Sequence, residues 1–495
     1  MNQDFVNIIF GMKVRQARTA KGITLTEFAE RSELSPSYVT EIEKGRKYPK
    51  ADKILRMAEV LDKSYDDLVS IKLAPGLNYL ETALGSPLLQ EFPFEEFGLD
   101  LADLVALLTR VPAKASALLH ALLEIGRQYN LNEEHFLRAA LRSYQEIHDN
   151  YFEDIEEAAR DFLEETGLAG AIPVDIESLE ALLTTRFNYT LEWERLSREP
   201  QLAGYRSVLL EGGPRVLLLN NRLQKNQIKF LLAREIGYQV LGLQERAMTS
   251  APDQVDSFQQ VLNDFRASYF GGALLMPQTL LLADIHAFFT HERWDPAGLL
   301  QLLARYDVTP EMLLYRFSEL IPQFYGVPLH FLRFHSNGQR YYLVKQLNMS
   351  RLLLPGGSAL DEQFCRRWLT GRLLREFEAQ ATREEPLAGV QISEFYETQE
   401  RFLCMGFARR LVLSPETMSS VIVGFRLDSH LPGAIRFATD PAIATVVINE
   451  TCERCPLPPE VCTVRAAPPV ALQAAEAADA RREALQRLTT ELQTA

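Results

Sequence analysis

Long apolar runs, an excess of basic charge and cysteines are all scarce in this chain of 495 residues. No stretch approaches the roughly 18 uninterrupted apolar residues that a membrane span needs, and the N-terminus lacks the regions of a secretory signal. We therefore expect a cytoplasmic protein with no membrane contact. The net charge of −14 also argues against a protein that coats nucleic acid along its whole surface, because phosphate repels an acidic face.

The length and the distribution of charge indicate several domains with different tasks. A chain of 495 residues exceeds what one hydrophobic core supports, and roughly three domains are expected. Residues 1–70 hold 12 Lys and Arg against 11 Asp and Glu, so the acidic excess lies in the remainder. Any DNA contact is therefore expected at the N-terminal end.

Five short amphipathic helices are predicted between residues 9 and 68, each with a recognisable start or stop. Gly22 follows the first helix, and Thr24 is placed to cap the second. Ser35 is placed to cap the third helix, with Pro36 at its first position. Val39 and Ile42 point inward at i, i+3 spacing, which leaves the polar side chains of the third helix facing outward.

That outward face suits the major groove of DNA, where hydroxyl and amide groups read bases while Arg and Lys hold phosphates. The candidate DNA-binding residues are Thr24, Thr26, Ser35, Ser37, Tyr38, Thr40, Glu41, Lys44, Arg46 and Lys47. Through GITLTEFAERSELSPSYVTEIEKGRKYP and LRMAEVL, the segment resembles Xre/Cro-type repressors. It departs from them at Leu25, where the family has a Gln that contacts the DNA backbone. The alternative is a five-helix bundle used only for protein contacts.

Residues 76–166 carry an almost wholly helical pattern, interrupted by Pro and short polar turns. Readers of two-fold DNA sites work as dimers, so this segment is a candidate region for joining two copies in a homodimer. The alternative is that these helices only pack against the next domain.

Residues 167–325 are predicted to contain a hairpin across Gly212-Gly213, an amphipathic helix over 224–243 and a later helix that ends near Pro277. With REIGYQVLG and ASYFGGALLMP as its markers, this order resembles the ImmA/IrrE family of zinc peptidases. That family carries H-E-x-x-H, in which two His residues bind zinc and the Glu polarises its water.

The five positions of that motif read Arg234, Glu235, Ile236, Gly237 and Tyr238 here, and only Asp264 is left as a further ligand. Arg and Tyr do not replace neutral imidazoles around zinc, so an active peptidase is the disfavoured alternative. Arg234 and Tyr238 lie one turn apart and are predicted to hold a phosphate, carboxylate or thioester carbonyl of a small effector. The competing interpretation is that Arg234 and Glu235 are surface charges or form a local ion pair.

Beyond Pro328 the chain is predicted to form a mixed α+β domain, opening with a type I′ hairpin at Asn337-Gly338. Cys452 and Cys455 form a C-x-x-C pair, and Cys462 follows in a Pro-rich loop. Three clustered cysteines in a cytosolic chain indicate ligation of a metal ion or cluster, with a fourth ligand from elsewhere.

This end resembles the short-chain fatty acyl transcriptional regulator family, whose domain order matches nearly the whole chain. The shared tail pattern comprises Cys365, Trp368, Cys452, Cys455, Cys462, Arg465, Ala466, Pro468 and Pro469. The resemblance implies a [4Fe–4S] cluster on the four cysteines other than Cys404, and a CoA or acyl-CoA effector. Zinc is the rival for four thiolates. Cys404 is predicted to be a buried core thiol, with replacement of Cys365 as ligand the alternative.

Together these patterns predict a multidomain chain, mainly α with α+β. The expected parts are an all-α Xre-type helix-turn-helix (1–70), a helical linker (76–166), a degenerate zincin-like α+β domain (167–325), a cysteine-bearing α+β domain (326–470) and a flexible tail (471–495). The expected function is regulation of transcription from a double-stranded DNA operator in response to an acyl-CoA-type molecule. An antitoxin or scaffold with an HTH that binds only proteins is the remaining alternative.

Overall fold

A computed structural model describes most of the chain, which divides into two units, Met1–Ala140 and Leu141–Ala495. The described residues are 3–70, 95–98, 133–210, 215–250, 255, 257–338, 340–352, 354, 362–380, 382–458, 460–465 and 480–483. The predictions for Gly212-Gly213, Ala466, Pro468 and Pro469, for most of the tail and for much of the helical linker lie outside these residues.

The first unit contains the five predicted helices: α1 (Gln3–Ala20), α2 (Leu25–Arg31), α3 (Pro36–Glu43), α4 (Ala51–Leu61) and α5 (Tyr65–Val69). Both predicted caps are confirmed, because Thr24 Oγ1 accepts from the Glu27 amide and Ser35 Oγ accepts from the Tyr38 amide, each at 3.2 Å. Val39 and Ile42 are fully buried against Phe10, Val14 and Phe28. The helices therefore begin and end where the cap residues satisfy the free amides.

An ion pair and a glycine hold α1 against α3. The Arg18 guanidinium meets both carboxylate oxygens of Glu43, at 2.6 and 3.0 Å, in a partly buried position. A Cβ at Gly11 would lie 2.2 Å from the Ile42 carbonyl oxygen, so this close approach requires glycine. Leu25, the departure from the Xre pattern, packs against the core of the unit.

The second unit begins with helices and a small sheet. Its described helices are α6 (Glu133–Ile147, which starts in the first unit), α7 (Glu153–Glu165), α8 (Ile176–Ala181), α9 (Arg195–Arg198), α10 (Lys225–Val240), α11 (Phe258–Leu275), α12 (Gln278–Phe289), α13 (Pro296–Tyr306), α14 (Pro310–Tyr325), α15 (Leu369–Glu378) and α16 (Leu431–Ala434). Strands β1 (Tyr189–Glu192), β2 (Ser207–Leu210) and β3 (Arg215–Leu219) form a sheet in the order β1-β3-β2. The predicted hairpin strands pair antiparallel, Ser207 with Leu219.

Helix α10 differs from the amphipathic helix that the sequence predicts. It is buried along nearly its whole length, including Lys229, Arg234 and Glu235. Its charged side chains therefore lie inside the protein, where each needs a partner. Lys229 has one in Asp307, with Nζ 2.6 Å from Oδ2.

A second sheet of six strands carries the other half of the unit. Strands β4 (Leu329–Ser336), β5 (Tyr341–Asn348), β6 (Leu387–Phe395), β7 (Arg401–Arg410), β8 (Met418–Arg426) and β9 (Thr445–Ile448) lie in the order β5-β4-β8-β7-β6-β9. All neighbours are antiparallel except β6 and β9. The predicted mainly α fold with α+β parts is confirmed.

The hairpin at Asn337-Gly338 forms, but its turn is not type I′. Ser336 pairs with Tyr341, which leaves a four-residue loop. A type I′ turn needs a positive φ at both central residues, but Gly338 has a positive φ of 85° and the φ of Asn337 is not positive. The loop is closed by side chains, since Asn337 Oδ1 accepts from the Arg340 amide at 3.1 Å and Ser336 Oγ from the Gly338 amide at 3.1 Å. These bonds favour the longer loop over a two-residue turn.

Among the described residues, no single helix has the length and apolar composition to cross a membrane. Only α11 and α12 taken together pass that test, and they meet at an angle of 69°.

Glycines bring α10 and α11 close together. A Cβ at Gly237 would lie 2.9 Å from the Ala267 carbonyl oxygen and 3.1 Å from Phe270 Cβ, and one at Gly271 would lie 3.1 Å from the Arg234 amide nitrogen. The two helices thus approach nearly to backbone contact at the degenerate motif.

We expect Gly237→Ala to lower the free energy of unfolding by about 1–3 kcal/mol, because the added methyl group forces these backbones apart. Urea unfolding followed by circular dichroism measures this change. Gly204→Ala is the control, since nothing lies within 4 Å of its Cβ and a change within about 0.5 kcal/mol is expected. Equal midpoints for Gly237→Ala and the unchanged protein would contradict the close packing.

Candidate functional site

The candidate DNA-binding residues lie together on and around α3. Those with exposed side chains are Thr24, Thr26, Ser35, Ser37, Lys44, Arg46 and Lys47, whereas Tyr38, Thr40 and Glu41 are partly buried. Thr24 and Ser35 use their oxygens as caps, so their roles are at least partly structural. The remaining exposed side chains, all polar or basic, are Thr26, Ser37, Lys44, Arg46 and Lys47.

Some side chains of α3 are held by local contacts. The Thr40 hydroxyl donates to the Pro36 carbonyl at 2.9 Å, and the Glu41 carboxylate lies 3.8 Å from the Arg46 guanidinium. Lys53 Nζ lies 4.3 Å from the centre of the Tyr38 ring. Lys53 therefore places a positive charge beside α3. The sequence analysis did not identify it, because Lys53 belongs to α4.

The degenerate motif forms two ion pairs in the interior. Arg234 is 4% exposed and pairs with Asp264, and the Tyr238 hydroxyl donates to the same carboxylate at 3.3 Å. Burial by itself lowers the pKa of Arg234, but the nearby Asp264 charge raises it overall, so the guanidinium stays charged. An effector at Arg234 would have to displace Asp264. Arg234 is thus neither a surface charge nor paired with Glu235, and its pairing with Asp264 argues against the predicted effector contact at Arg234 and Tyr238.

Glu235, the position of the catalytic glutamate in zinc peptidases, is committed to a different arginine. Its two oxygens accept from Arg246 at 2.6 and 2.8 Å, and both side chains are buried. The Tyr189 hydroxyl donates to Glu235 at 3.3 Å and accepts from Gln239 at 2.8 Å. A buried carboxylate that accepts three hydrogen bonds and is ion-paired with a guanidinium is a poor base for activating a water. Nothing in the sequence identifies Arg246 as the partner, since it lies in a loop.

Backbone contacts bring the cysteine segments together. Phe364 and Thr451 form an antiparallel bridge, the Cys365 amide donates to the Glu450 carbonyl at 3.1 Å, and the Cys452 amide donates to the Gln363 carbonyl at 2.8 Å. Cys365 thus lies beside the C-x-x-C loop although 87 residues separate it from Cys452.

Two residues of the tail pattern fasten these loops. The Trp368 indole donates to the Asn449 carbonyl at 2.7 Å, which ties the Cys365 loop to the chain that enters the C-x-x-C loop. The Arg465 guanidinium donates to the Cys455 carbonyl at 3.3 Å and also to the Leu457 carbonyl. Both residues therefore position the cysteines by holding backbone carbonyls.

All five cysteines are free thiols in buried positions. Burial raises the pKa of Cys365 to about 12, and the nearby sulfurs of Cys452 and Cys455 add to the rise. Within the described part of the chain, no three His, Cys, Asp or Glu side chains converge on the position of a single metal ion. Cys404 is buried in the core of the six-stranded sheet, in the same apolar cluster as Cys365 and Trp368, with its Sγ 4.0 Å from His330 Nε2.

Comparisons with known proteins identify two domains. Residues 14–68 match the Helix-turn-helix family, and residues 194–318 match the IrrE N-terminal-like domain. A propionyl-CoA carboxylase regulator of Cereibacter sphaeroides is 24% identical over 347 residues, which cover 66% of this chain and 68% of that one. A solved structure titled as a Mycobacterium tuberculosis transcriptional regulator matches with 19% identity and a TM-score of 0.44, covering 66% of this chain and 92% of that one. The chain therefore carries a DNA-binding type of domain followed by an IrrE-like domain.

We expect Glu235→Ala and Arg246→Ala each to lower the free energy of unfolding by about 3–5 kcal/mol, because either change leaves a buried charge without a partner. Replacing both residues, as Glu235→Leu with Arg246→Met, is expected to cost much less than the sum. Urea unfolding of the three variants measures the coupling. Glu194→Ala, which removes an exposed carboxylate, is the control. Additive losses in the double variant would mean that the two side chains do not act as a pair.

Proposed function

We propose that this chain is a transcription regulator that binds double-stranded operator DNA as a homodimer and responds to a CoA thioester. In this proposal the second unit receives the effector, and Cys365, Cys452, Cys455 and Cys462 hold a [4Fe–4S] cluster. The observation that carries the DNA-binding part is the match of residues 14–68 to the Helix-turn-helix family, with the capped helix α3 presenting an exposed polar face.

The exposed side chains of α3 and of the turn after it have two roles in DNA recognition, contact with bases and contact with phosphates. Ser37 and Lys44 lie where base edges come within reach of a helix in the major groove, and Arg46 and Lys47 follow the helix as phosphate contacts. Two-fold operators pair with two-fold proteins, which is the basis for proposing a homodimer. The name of the Cereibacter sphaeroides relative supports an effector related to propionyl-CoA.

Peptidase activity is not proposed, because the residues at the motif are unsuited to it. Arg234 and Tyr238 stand where zinc-binding His residues would be needed, and Glu235 is ion-paired with Arg246. A cation at the metal position also repels a divalent ion, and Asp264, the remaining candidate ligand, is already paired. The IrrE-like fold is therefore proposed to act as a binding scaffold.

We favour an iron–sulfur cluster over a single zinc ion for these four cysteines, because their pattern resembles that of the short-chain fatty acyl regulator family. Zinc–sulfur bonds of about 2.3 Å require four thiolates within roughly 4 Å of one another around one point, whereas a cluster separates its ligands further. The charges of Cys452 and Cys455 raise the pKa of Cys365, so these three sulfurs lie near one another. A bound cluster would supply a redox-sensitive cross-link between the Cys365 loop and the C-x-x-C loop.

Lys47→Ala is expected to weaken DNA binding and to reduce the slope of log K against log salt by about 0.9, the value for one lost phosphate contact. The measurement is a salt titration with a duplex recovered by genomic selection on the full-length protein. Lys63→Ala is the control, because Lys63 follows the far end of α4. An unchanged slope for Lys47→Ala would mean that Lys47 makes no phosphate contact. Failure to recover any duplex would favour a scaffold that binds only proteins.

Protein purified without oxygen is expected to contain about four iron and four sulfide per chain and to absorb broadly near roughly 400 nm. Cys365→Ser is expected to lose most of this iron, because the cluster then has three thiolates. Cys404→Ala is the control and should keep the iron, since Cys404 lies in the sheet core. One zinc per chain without sulfide would instead establish the rival zinc site.

A further inference from the structure

A cavity of about 200 Å³ lies in the second unit between the helices α10, α11 and α14 and the strands of the six-stranded sheet. One part of its wall is apolar and includes Phe230, Leu231, Met276, Met312 and Phe331. The other part carries basic side chains, namely Arg206, Arg316, Arg333, Lys345 and Arg409, with the carboxylates of Glu311 and Glu319. We call it the arginine cavity.

A single carboxylate, Glu311, serves the arginines on the sheet side of the arginine cavity. Arg409 donates to it through Nε at 3.0 Å and Nη2 at 2.8 Å, and the Arg333 guanidinium lies 3.8 Å away. The Ser419 hydroxyl donates to its other oxygen at 3.0 Å. Both oxygens of Glu311 thus accept hydrogen bonds. Its single negative charge neutralises only one of the positive charges of Arg333 and Arg409.

Arg316, the basic residue of α14, is neutralised by other carboxylates. Arg316 donates to both oxygens of Glu156, at 2.6 and 2.8 Å, and to Glu319 at 2.8 Å. Two carboxylates thus face one guanidinium, and the charge of Glu319 also acts on Lys345, whereas Glu311 is the carboxylate that acts on Arg206 and Arg333. Lys345 lies at the rim of the arginine cavity, with Nζ 3.5 Å from the centre of the Tyr315 ring.

Arg206 is left without an acceptor. Among the described residues, no oxygen or ring hydrogen bonds to its guanidinium, although the side chain is partly buried and lines the arginine cavity. Burial lowers the pKa of Arg206, and the charges of Arg333 and Arg409 lower it further. Arg206, Arg333 and Arg409 consequently share one carboxylate, Glu311. This excess of positive charge favours binding of an anion.

We propose that the arginine cavity binds a small organic anion, a carboxylate or phosphate group joined to a short apolar chain, and that Arg206 pairs with the anionic group. A guanidinium presents two parallel donors to either group, and the apolar wall covers the attached chain. The volume is below the roughly 300–1,000 Å³ of sites for whole drug-sized ligands. The cavity therefore takes either a small anion or one end of a larger molecule.

This inference deepens the proposed function by giving the effector a site, and it rests on that function only for the choice of the thioester probe. It moves the effector contact away from Arg234, whose charge Asp264 already neutralises. Arg206 is the informative position, because its removal breaks no hydrogen bond or ion pair within the described part of the chain and so leaves the fold undisturbed. Removing Arg409 would instead expose the buried Glu311 charge.

The test is calorimetric titration of the full-length protein, without DNA, using sodium propionate, inorganic phosphate and propionyl-CoA as separate probes. At least one probe is expected to bind saturably, and Arg206→Gln is expected to weaken that binding about tenfold or more, since a charge-assisted hydrogen bond is lost. Arg206→Lys keeps the charge and should bind better than Arg206→Gln. Arg401→Gln is the matched control, because Arg401 lies at the opposite end of the strand that carries Arg409.

The pattern among the probes identifies the anion. Binding of propionate assigns the cavity to a carboxylate, binding of phosphate assigns it to a phosphate, and binding of propionyl-CoA alone assigns it to part of the thioester. Equal affinity in Arg206→Gln and the unchanged protein, or no saturable binding of any probe, would overturn the proposal.

Operator binding by the same preparations separates this inference from the proposed function. Arg206→Gln should bind DNA as the unchanged protein does and lose only its response to the ligand. Ligand binding by a protein that binds no DNA would contradict the regulator and leave the arginine cavity standing.

Discussion

Buried positive charge is the constraint on which the second unit depends. Arg234 lies within a helix that is buried along nearly its whole length, and a guanidinium there is stable only beside a carboxylate. Asp264 on α11 meets that need, and Tyr238 donates to the same oxygen. Gly237 and Gly271 let the two helices come close enough for the pair to form. The geometry that holds a metal in zinc peptidases is here occupied by an ion pair.

The same constraint connects the helices to the six-stranded sheet. Arg316 is held by Glu156 and Glu319 within the helical layer, and Glu311, at the start of the same helix, faces Arg333 and Arg409 on the strands. Helix α14 therefore carries charges that fix both layers. Because Glu311 is the one carboxylate on the sheet side of the arginine cavity, the surplus charge collects in the space between the layers.

The cysteine segments follow a different rule, since backbone bonds bring them together. The bridge between Phe364 and Thr451 and the hydrogen bond from the Trp368 indole to Asn449 hold the two loops together. These contacts fix the backbone on which Cys365 and Cys452 lie. The DNA-binding unit has its own core and its own caps, so it needs none of these contacts to fold.

Local sequence patterns were sufficient to predict the helices of the helix-turn-helix. Thr24, Ser35 and Pro36 define helix starts through bonds to residues three positions away, and the spacing of Val39 and Ile42 defines a face. The loss of the zinc ligands was equally readable, because Arg and Tyr are poor metal ligands wherever they lie. The four-residue loop at Asn337 was missed, since Asn-Gly favours a shorter turn and the deciding bonds come from neighbouring side chains.

Charge pairing between distant segments was decided only by the tertiary structure. Arg246 pairs with Glu235 and Arg409 pairs with Glu311, whereas Arg206 has no hydrogen-bond acceptor among the described residues. The spacing of these residues along the chain does not distinguish the three cases. A basic residue within an apolar run, such as Lys229 or Arg234, was a signal in the sequence of a buried basic group. An ion pair depends on distance in space and on exclusion of water, and both are set when helices and strands pack. The sequence therefore determined which residues are charged, and the fold determined which charges remain available to a ligand.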